Sequence, residues 1–289
     1  MTSLWIFFAL FSGVADSFKP LFGKKSLGDM SFVVVGWAQW FFGLFVLLPI
    51  FFWRVQVPAP YFWWVLVLNG VLNVCATILY WHVIKTTDIS RVLPVVLSAT
   101  PIFLLVTSPL MLGEIPNKFG LLGVLVAAIG IYMVNFEKRS RGLWAPLIDI
   151  FVDDGLRSSL LIAVIWSVTS NLDQVLVQAS SPVFYITLMH ALMVFFLIPF
   201  FVRQGINTQL FCKNFWILAA TGFASAFALL FQMIALSGGI VPYVLALKRT
   251  SVLFGIIWGA VFFKEQHFKQ RFWGGLIVLA GVVLISILG

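Results

Sequence analysis

The chain of 289 residues is 62% hydrophobic and only 10% charged, with a mean hydropathy of +1.07 and a formal net charge of +8. A soluble domain carries about 25% charged residues, so this composition excludes a soluble globular protein and indicates a membrane protein. The basic residues lie between apolar segments rather than in a basic tail, which argues against nucleic acid as a partner and indicates that they set the membrane topology.

Apolar segments of about 20 residues follow one another along the chain, which is the length that a helix needs to cross roughly 30 Å of hydrocarbon. They are continuously apolar rather than alternating, so we predict helices and not the strands of a barrel. The fold class is therefore an all-α membrane protein with ten transmembrane helices. The predicted spans are 3–19, 31–53, 61–83, 89–112, 117–136, 158–178, 183–202, 214–236, 241–263 and 270–288.

The first segment differs from a signal peptide because it lacks a positive region at its start and contains Asp16 and Lys19. We retain it as the first span. The longest polar interruption, 137–157, contains a short apolar stretch that is typical of an interfacial segment rather than of a domain. We therefore divide the chain into a first unit 1–137, a connecting segment 138–156 and a second unit 157–289.

The two units repeat one another. Glu114 with Gly123 and Gly130 recurs as Glu265 with Gly274 and Gly281. Each unit holds an odd number of spans, so the second must enter the membrane in the opposite direction from the first. Inverted five-helix repeats place a binding site near the middle of the membrane, at the interface between the halves. We interpret the two glutamates as loop or cap residues.

Lys248 and Arg249 lie within the predicted ninth span. A cation at the middle of a membrane helix costs roughly 2.5 to 3.5 kcal/mol on insertion scales, so such residues normally face a protein-lined cavity. Arginine offers a planar fork to a carboxylate or phosphate, and lysine adds a point charge. The pair predicts an anion-binding site, with Lys248 extended toward the membrane surface as the alternative.

Hydroxyl residues near this pair could complete the site or could bond to their own helix backbone. In the first unit, the positions equivalent to the pair are Leu97 and Ser98, so the two halves differ chemically. This difference favours an asymmetric substrate. The candidate substrate-binding residues are Lys248, Arg249, Ser98, Thr250, Ser251, Asp173, His190 and Gln232.

Three of these candidates have open alternatives. Asp173 is the counter-charge of the cation pair, a proton-coupling carboxylate, or a solvated residue near the membrane surface. For Asp16 we prefer the last of these interpretations. His190 is a packing residue or contacts a substrate or proton. Gln232 contacts substrate or forms hydrogen bonds between helices.

The glutamate after the fourth and ninth spans, followed by a glycine-bearing span in a chain of five plus five helices, resembles the EamA family of the drug/metabolite transporter superfamily. That resemblance covers the whole chain and implies a transporter, but the superfamily carries many classes of substrate. The adjacent Lys248 and Arg249 are similar to the phosphate-binding pair of the triose-phosphate translocator branch, which implies that they bind an anion. The further lysine that this branch uses from an earlier span has no recognisable equivalent here.

No nucleophile with a base, metal-ligand cluster or phosphate-binding glycine loop can be recognised in the sequence, so we predict neither an enzyme nor a cofactor. The leading prediction is a secondary transporter of a small phosphate- or carboxylate-bearing metabolite. The alternatives are an exporter of amino acids or amphipathic compounds, and a lipid-handling or accessory protein without a transport cycle.

We expect a multi-pass protein embedded in the lipid bilayer of the plasma (inner) membrane, as a monomer or a homodimer. We expect its transport to be coupled to a proton or to an exchanged anion. Most Lys and Arg residues fall on the membrane side opposite the two termini. The side that bears the termini holds only Arg54 and Lys118. The positive-inside rule therefore places the termini outside the cytoplasm. The family resemblance places them inside.

Overall fold

A computed structural model describes residues 4–28, 30–51, 58–87, 89–134, 153–204, 208–254 and 268–288. All regular structure within these ranges is helical, which confirms the all-α prediction. The helices are α1 Leu4–Leu27, α2 Phe32–Phe51, α3 Phe62–Thr86, α4 Ile89–Leu112, α5 Lys118–Val134, α6 Asp154–Gln178, α7 Pro182–Arg203, α8 Thr208–Lys213, α9 Phe215–Leu236, α10 Val241–Lys248 and α11 Phe268–Leu288.

Seven candidate spans within these ranges are long and apolar enough to cross a membrane; they lie in α1 to α4, α6, α7 and α9. Helices α5 and α11 contribute shorter apolar stretches. The count of ten spans stays a prediction, because the second part of the ninth predicted span falls on residues 255–267, outside the described residues. Most of the predicted connecting segment 138–156, and Glu265, also lie outside them.

Local chemistry explains where α6 and α7 begin. The Asp153 side chain accepts hydrogen bonds from the backbone N–H groups of Gly155 and Leu156, so it satisfies donors that the first turn of α6 leaves free. Ser181 caps α7 in the same way through the Phe184 N–H, and Pro182 occupies the first turn, where its missing N–H has no consequence. Local hydrogen bonds thus set the first residues of both helices.

The two units pack against each other throughout the bundle. Helix α1 packs most extensively on α9, α4 on α6, and α5 on α11. Each of these pairs takes one helix from each unit. The candidate site is therefore built from both units.

The repeated glycines have a packing role. A Cβ on Gly281 of α11 would lie 2.6 Å from the carbonyl oxygen of Gly123 on α5, and one on Gly130 would lie 3.0 Å from the carbonyl oxygen of Gly274. Backbones that approach this closely leave no room for a side chain, which is the general use of small residues between membrane helices. The recurrence of these glycines thus reflects the α5–α11 contact.

One predicted span boundary is wrong, and another predicted span is interrupted. Helix α1 continues to Leu27 instead of ending at residue 19, so Lys19 lies inside the helix and not at its end. Helix α10 stops at Lys248, turns through Arg249 and Thr250, and helical structure resumes at Ser251. At the turn, the Thr250 N–H donates to the Leu247 oxygen over 3.0 Å, three residues back instead of four. The cation pair therefore lies at a break in the helix.

Candidate functional site

Lys248 is paired inside the bundle. Its Nζ donates to Oε1 of Gln232 on α9 over 2.8 Å and lies 3.6 Å from Oδ1 of Asp16 on α1. The residue is only 7% exposed, and its ammonium group points to α1 and α9 rather than to the membrane surface. Its charge is thus compensated by a carboxylate and an amide oxygen, and Asp16 is not the solvated surface residue that the sequence favours.

Arg249 is in a different situation from its neighbour. It is 3% exposed, and its Nε is fully buried without a hydrogen-bond partner among the described residues. In that part of the chain no carboxylate lies within ion-pair distance of its guanidinium, although Asp16 and Tyr80 are close enough to act on it electrostatically. The Arg249 Nε–H thus remains a buried donor without an acceptor in the described part of the chain, which is costly unless another group satisfies it.

Lys19, one turn after Asp16 on α1, is held among aromatic rings. Its Nζ lies 5.0 Å from the ring centroid of Tyr80, 6.0 Å from that of Trp81 and 5.9 Å from that of Trp166. Cation–π attraction of this kind is stronger where water is excluded. The rings fix a third ammonium group inside the bundle.

These four residues form what we term the basic cluster: Asp16, Lys19, Lys248 and Arg249. Asp16 lies within electrostatic range of all three cations. Among the described residues, three positive charges share one carboxylate, so the cluster carries an excess of positive charge. Lys19 is not among the candidates from the sequence, although the spacing Asp16-x-x-Lys19 on an apolar helix is a usable signal because residues three apart share a helix face.

A glycine allows the break in α10 to approach α1. A Cβ on Gly13 would lie 2.6 Å from Oγ1 of Thr250 and 2.8 Å from the carbonyl oxygen of Lys248. Thr250 Oγ1 is buried without a hydrogen-bond partner among the described residues, and Ser251 is buried as well. Ser98 is buried on α4, which also packs against α10.

Asp173 belongs to a second polar group, on the part of α6 near its C-terminus. Its Oδ1 accepts a hydrogen bond of 2.8 Å from Nδ2 of Asn69 on α3 and another from the Tyr185 hydroxyl on α7. Asp173 does not provide the direct counter-charge to Lys248, since among the described residues the carboxylate within ion-pair distance of that ammonium is Asp16. Lys248 acts on Asp173 only at longer electrostatic range.

His190 packs between helices instead of facing the basic cluster. Its Nδ1 lies 2.8 Å from the Ile186 oxygen, and its ring meets the Trp40 ring edge to face at a centroid distance of 4.7 Å. A Cβ on Gly43 would come within 2.7 Å of its Nε2. This environment is that of a packing residue at the contact of α2 and α7.

Glu114 joins the two units at one end of the bundle. Its Oε2 accepts a 2.9 Å hydrogen bond from the Val241 N–H at the start of α10, and its Oε1 accepts one from Nε2 of Gln174 on α6. In the same loop, the Asn117 N–H donates to the Tyr243 hydroxyl over 3.0 Å. The predicted cap role is thus extended, because Glu114 caps the first turn of a helix of the other unit and links that helix to α6.

Comparison with known proteins gives a family and a fold. The sequence profile of the EamA-like transporter family matches residues 3–136 and 155–287. A solved structure described only as a crystal structure of a protein superposes with a TM-score of 0.80 over 100% of both chains at 15% sequence identity, which supports the fold alone. No curated protein matches the chain. The similarity of Lys248 and Arg249 to the triose-phosphate translocator branch finds no support in these matches.

Proposed function

The chain belongs to the EamA-like transporter family, and from this premise we propose that it is a secondary transporter of a small anionic metabolite that binds at Arg249. The chain is an integral multi-pass membrane protein, and its family is one of small-molecule transporters. We propose further that the chain forms ten spans in two inverted halves in the plasma membrane, and that the substrate binds between these halves.

The buried guanidinium of Arg249, whose Nε has no hydrogen-bond partner among the described residues, is the observation that carries this proposal. Lys248 already has Asp16 and Gln232 as partners, whereas Arg249 is equally buried and lacks a carboxylate among the described residues. A planar guanidinium recognises carboxylates and phosphates through paired hydrogen bonds. A substrate anion would supply the negative charge that Arg249 lacks within ion-pair distance among the described residues.

The surroundings of Arg249 suit a transport site. It follows the break in α10, and interrupted helices at the interface of inverted repeats are where transporters of this kind bind their substrates. Hydrogen bonds from the start of α10 to Glu114 and between Tyr243 and Asn117 tie α10 to the 113–117 loop, and these bonds support a closed state at this end in an alternating-access cycle. Opening would separate α10 from this loop while the bound anion stays near Arg249.

Binding and uptake by the purified protein in proteoliposomes test the proposal. A thermal-shift screen of inorganic phosphate, phosphate esters, carboxylates and amino acids identifies a ligand, and its uptake is then compared between wild type and Arg249→Ala. We expect uptake to fall by on the order of a hundredfold, since losing a charged hydrogen-bonded partner costs about 3 kcal/mol. The matched control is Arg157→Ala, because Arg157 is an exposed arginine paired with Asp154. Unchanged uptake in Arg249→Ala rejects the site.

A second candidate is an exporter of amino acids, and Asp173 is the observation that favours it. This buried carboxylate has only neutral hydrogen-bond donors, so it could accept a substrate ammonium group while Arg249 holds the carboxylate. Stabilisation by amino acids and not by simple anions in the same screen would select this alternative. Failure of every water-soluble ligand would instead favour a lipid-handling or accessory protein.

A further inference from the structure

We propose that Asp173 is a proton-binding site that couples proton movement to anion transport. Asp173 is 8% exposed within a membrane helix bundle and lies outside the basic cluster. A carboxylate in such a place is costly and is kept for a reason, and proton relays are among the known uses. The geometry around its two oxygens indicates this use.

Both hydrogen-bond donors of Asp173 converge on one oxygen. Asn69 Nδ2 and the Tyr185 hydroxyl donate to Oδ1, and Asn69 Nδ2 also lies 2.8 Å from the Tyr185 oxygen, so the three groups form a closed triangle. Among the described residues, the hydrogen bonds to this carboxylate reach Oδ1 and none reaches Oδ2. Oδ2 is thus the free position at which a proton can bind, while Oδ1 keeps the carboxyl group in place in either state.

The neighbours of Asp173 favour a proton over a metal cation. A hard metal ion requires several oxygen ligands at once. Here the groups nearest to the carboxylate are an amide nitrogen and a hydroxyl that donate to it, and no cluster of three metal-binding side chains occurs among the described residues. A proton needs a single free oxygen, which Oδ2 provides.

The charged and titratable groups that face Asp173 set the coupling. From α7 it meets Tyr185, and from α10 Lys248 acts on it at longer range. The 113–117 loop brings Glu114 to the neighbouring Gln174, whereas the contacts of α4 with this part of α6 are the neutral Thr107 and Ser108, both bonded to Asn171. Lys248 is therefore the member of the basic cluster that interacts electrostatically with Asp173.

This arrangement predicts that a proton and an anion bind cooperatively. Protonation of Asp173 removes a negative charge from within electrostatic range of Lys248, which raises the positive potential that an anion meets at Arg249. Since coupling between two sites is reciprocal, a bound anion must favour protonation of Asp173 to the same extent. Transport of one proton with the anion, in the same direction, follows. This coupling rests on the proposed anion site, whereas protonation of Asp173 does not.

Infrared difference spectroscopy tests protonation directly and needs no substrate. The full chain in proteoliposomes is titrated with acid, and the carbonyl-stretch band of a protonated carboxyl group is followed. We expect a band that titrates in wild type, disappears in Asp173→Asn and remains in the control Glu114→Gln. Asparagine keeps an oxygen for Asn69 and Tyr185 to bond, so the fold is preserved. Tyr185→Phe removes one hydrogen bond and should shift the frequency of the band without abolishing it. A spectrum identical in wild type and Asp173→Asn overturns the proposal.

Sulfate tests the coupling, because its charge is constant over the pH range used. Sulfate affinity should increase on acidification in wild type, by on the order of tenfold for a typical coupling between sites, and should become independent of pH in Asp173→Asn. Binding that depends on pH equally in both proteins overturns the coupling. If sulfate does not bind, the anion site is wrong. If a rapid drop in pH still produces a charge movement in membranes that depends on Asp173, the proton site is supported even so.

Discussion

Nζ of Lys248 lies 3.6 Å from Oδ1 of Asp16, and this ion pair joins the broken helix of the second unit to the first helix of the first unit. The side chains are 9% and 21% exposed, so the pair is largely shielded from solvent. Its role is to neutralise one of two adjacent cations. The other, Arg249, has no carboxylate within ion-pair distance among the described residues, and it is the group at which we propose that a substrate anion binds.

Asp16→Asn tests the contribution of this pair to stability. The substitution removes the negative charge beside Lys248 and leaves this buried cation with only neutral amide oxygens, on Gln232 and on the substituted side chain, which should lower the free energy of unfolding by roughly 3 kcal/mol. Thermal unfolding of the purified protein measures the change. In a double-mutant cycle, Lys248→Gln in the Asp16→Asn background should recover part of the loss, and strictly additive effects would contradict the pairing.

Gly13→Ala tests the close approach of α1 to the break in α10. The added methyl group would collide with Thr250 Oγ1 and with the Lys248 carbonyl, and overpacking of this kind costs about 1 to 3 kcal/mol. We expect a lower unfolding temperature together with reduced uptake. Gly28→Ala is the matched control, because its new Cβ would come no closer than 3.8 Å to the Lys25 oxygen, an ordinary contact. Equal effects of the two substitutions would argue against the proposed contact.

Glu114→Ala tests the contact between Glu114 and the start of α10. The Val241 N–H would lose its carboxylate acceptor, and a hydrogen bond to a charged group contributes about 1.5 to 3 kcal/mol, so exchange of amides at the start of α10 should accelerate on the order of tenfold or more. Hydrogen exchange followed by mass spectrometry measures this. Amides at the start of α9 serve as the internal reference. Acceleration confined to α9 would contradict the role given to Glu114.

Lys19→Gln tests whether the third cation strengthens anion binding. Removing one of the positive charges that share Asp16 should weaken binding of the anion by on the order of tenfold, which corresponds to about 1.4 kcal/mol. Lys19→Arg keeps the charge over the rings of Tyr80, Trp81 and Trp166 and should retain most of the affinity. Dissociation constants of the two variants decide the point, and equal affinities would exclude Lys19 from the site.

Much of the fold follows from local properties of the sequence. Apolar length indicates membrane helices, and the recurrence of Gly123 and Gly130 as Gly274 and Gly281 reveals two related units. The sequence leaves the reason for those glycines open, and it misplaces the end of α1 because Lys19 resembles a residue at the membrane surface. A lysine can remain inside a membrane helix when aromatic rings and a carboxylate surround it, and none of those rings is near it in the sequence.

A helical membrane protein of two related halves, with two cations inside a span, can be inferred from the amino-acid sequence alone. The pairing of Asp16 with Lys248, the lack of such a partner for Arg249 in the described part of the chain, and the hydrogen bonds from Asn69 and Tyr185 to Asp173 become visible only when the helices are packed together. The physical reason is that transfer of a side chain into the membrane depends on the side chain itself, and so can be estimated from its identity. Compensation of a buried charge depends on which helices meet, and here the partners come from α1, α3, α6, α7, α9 and α10.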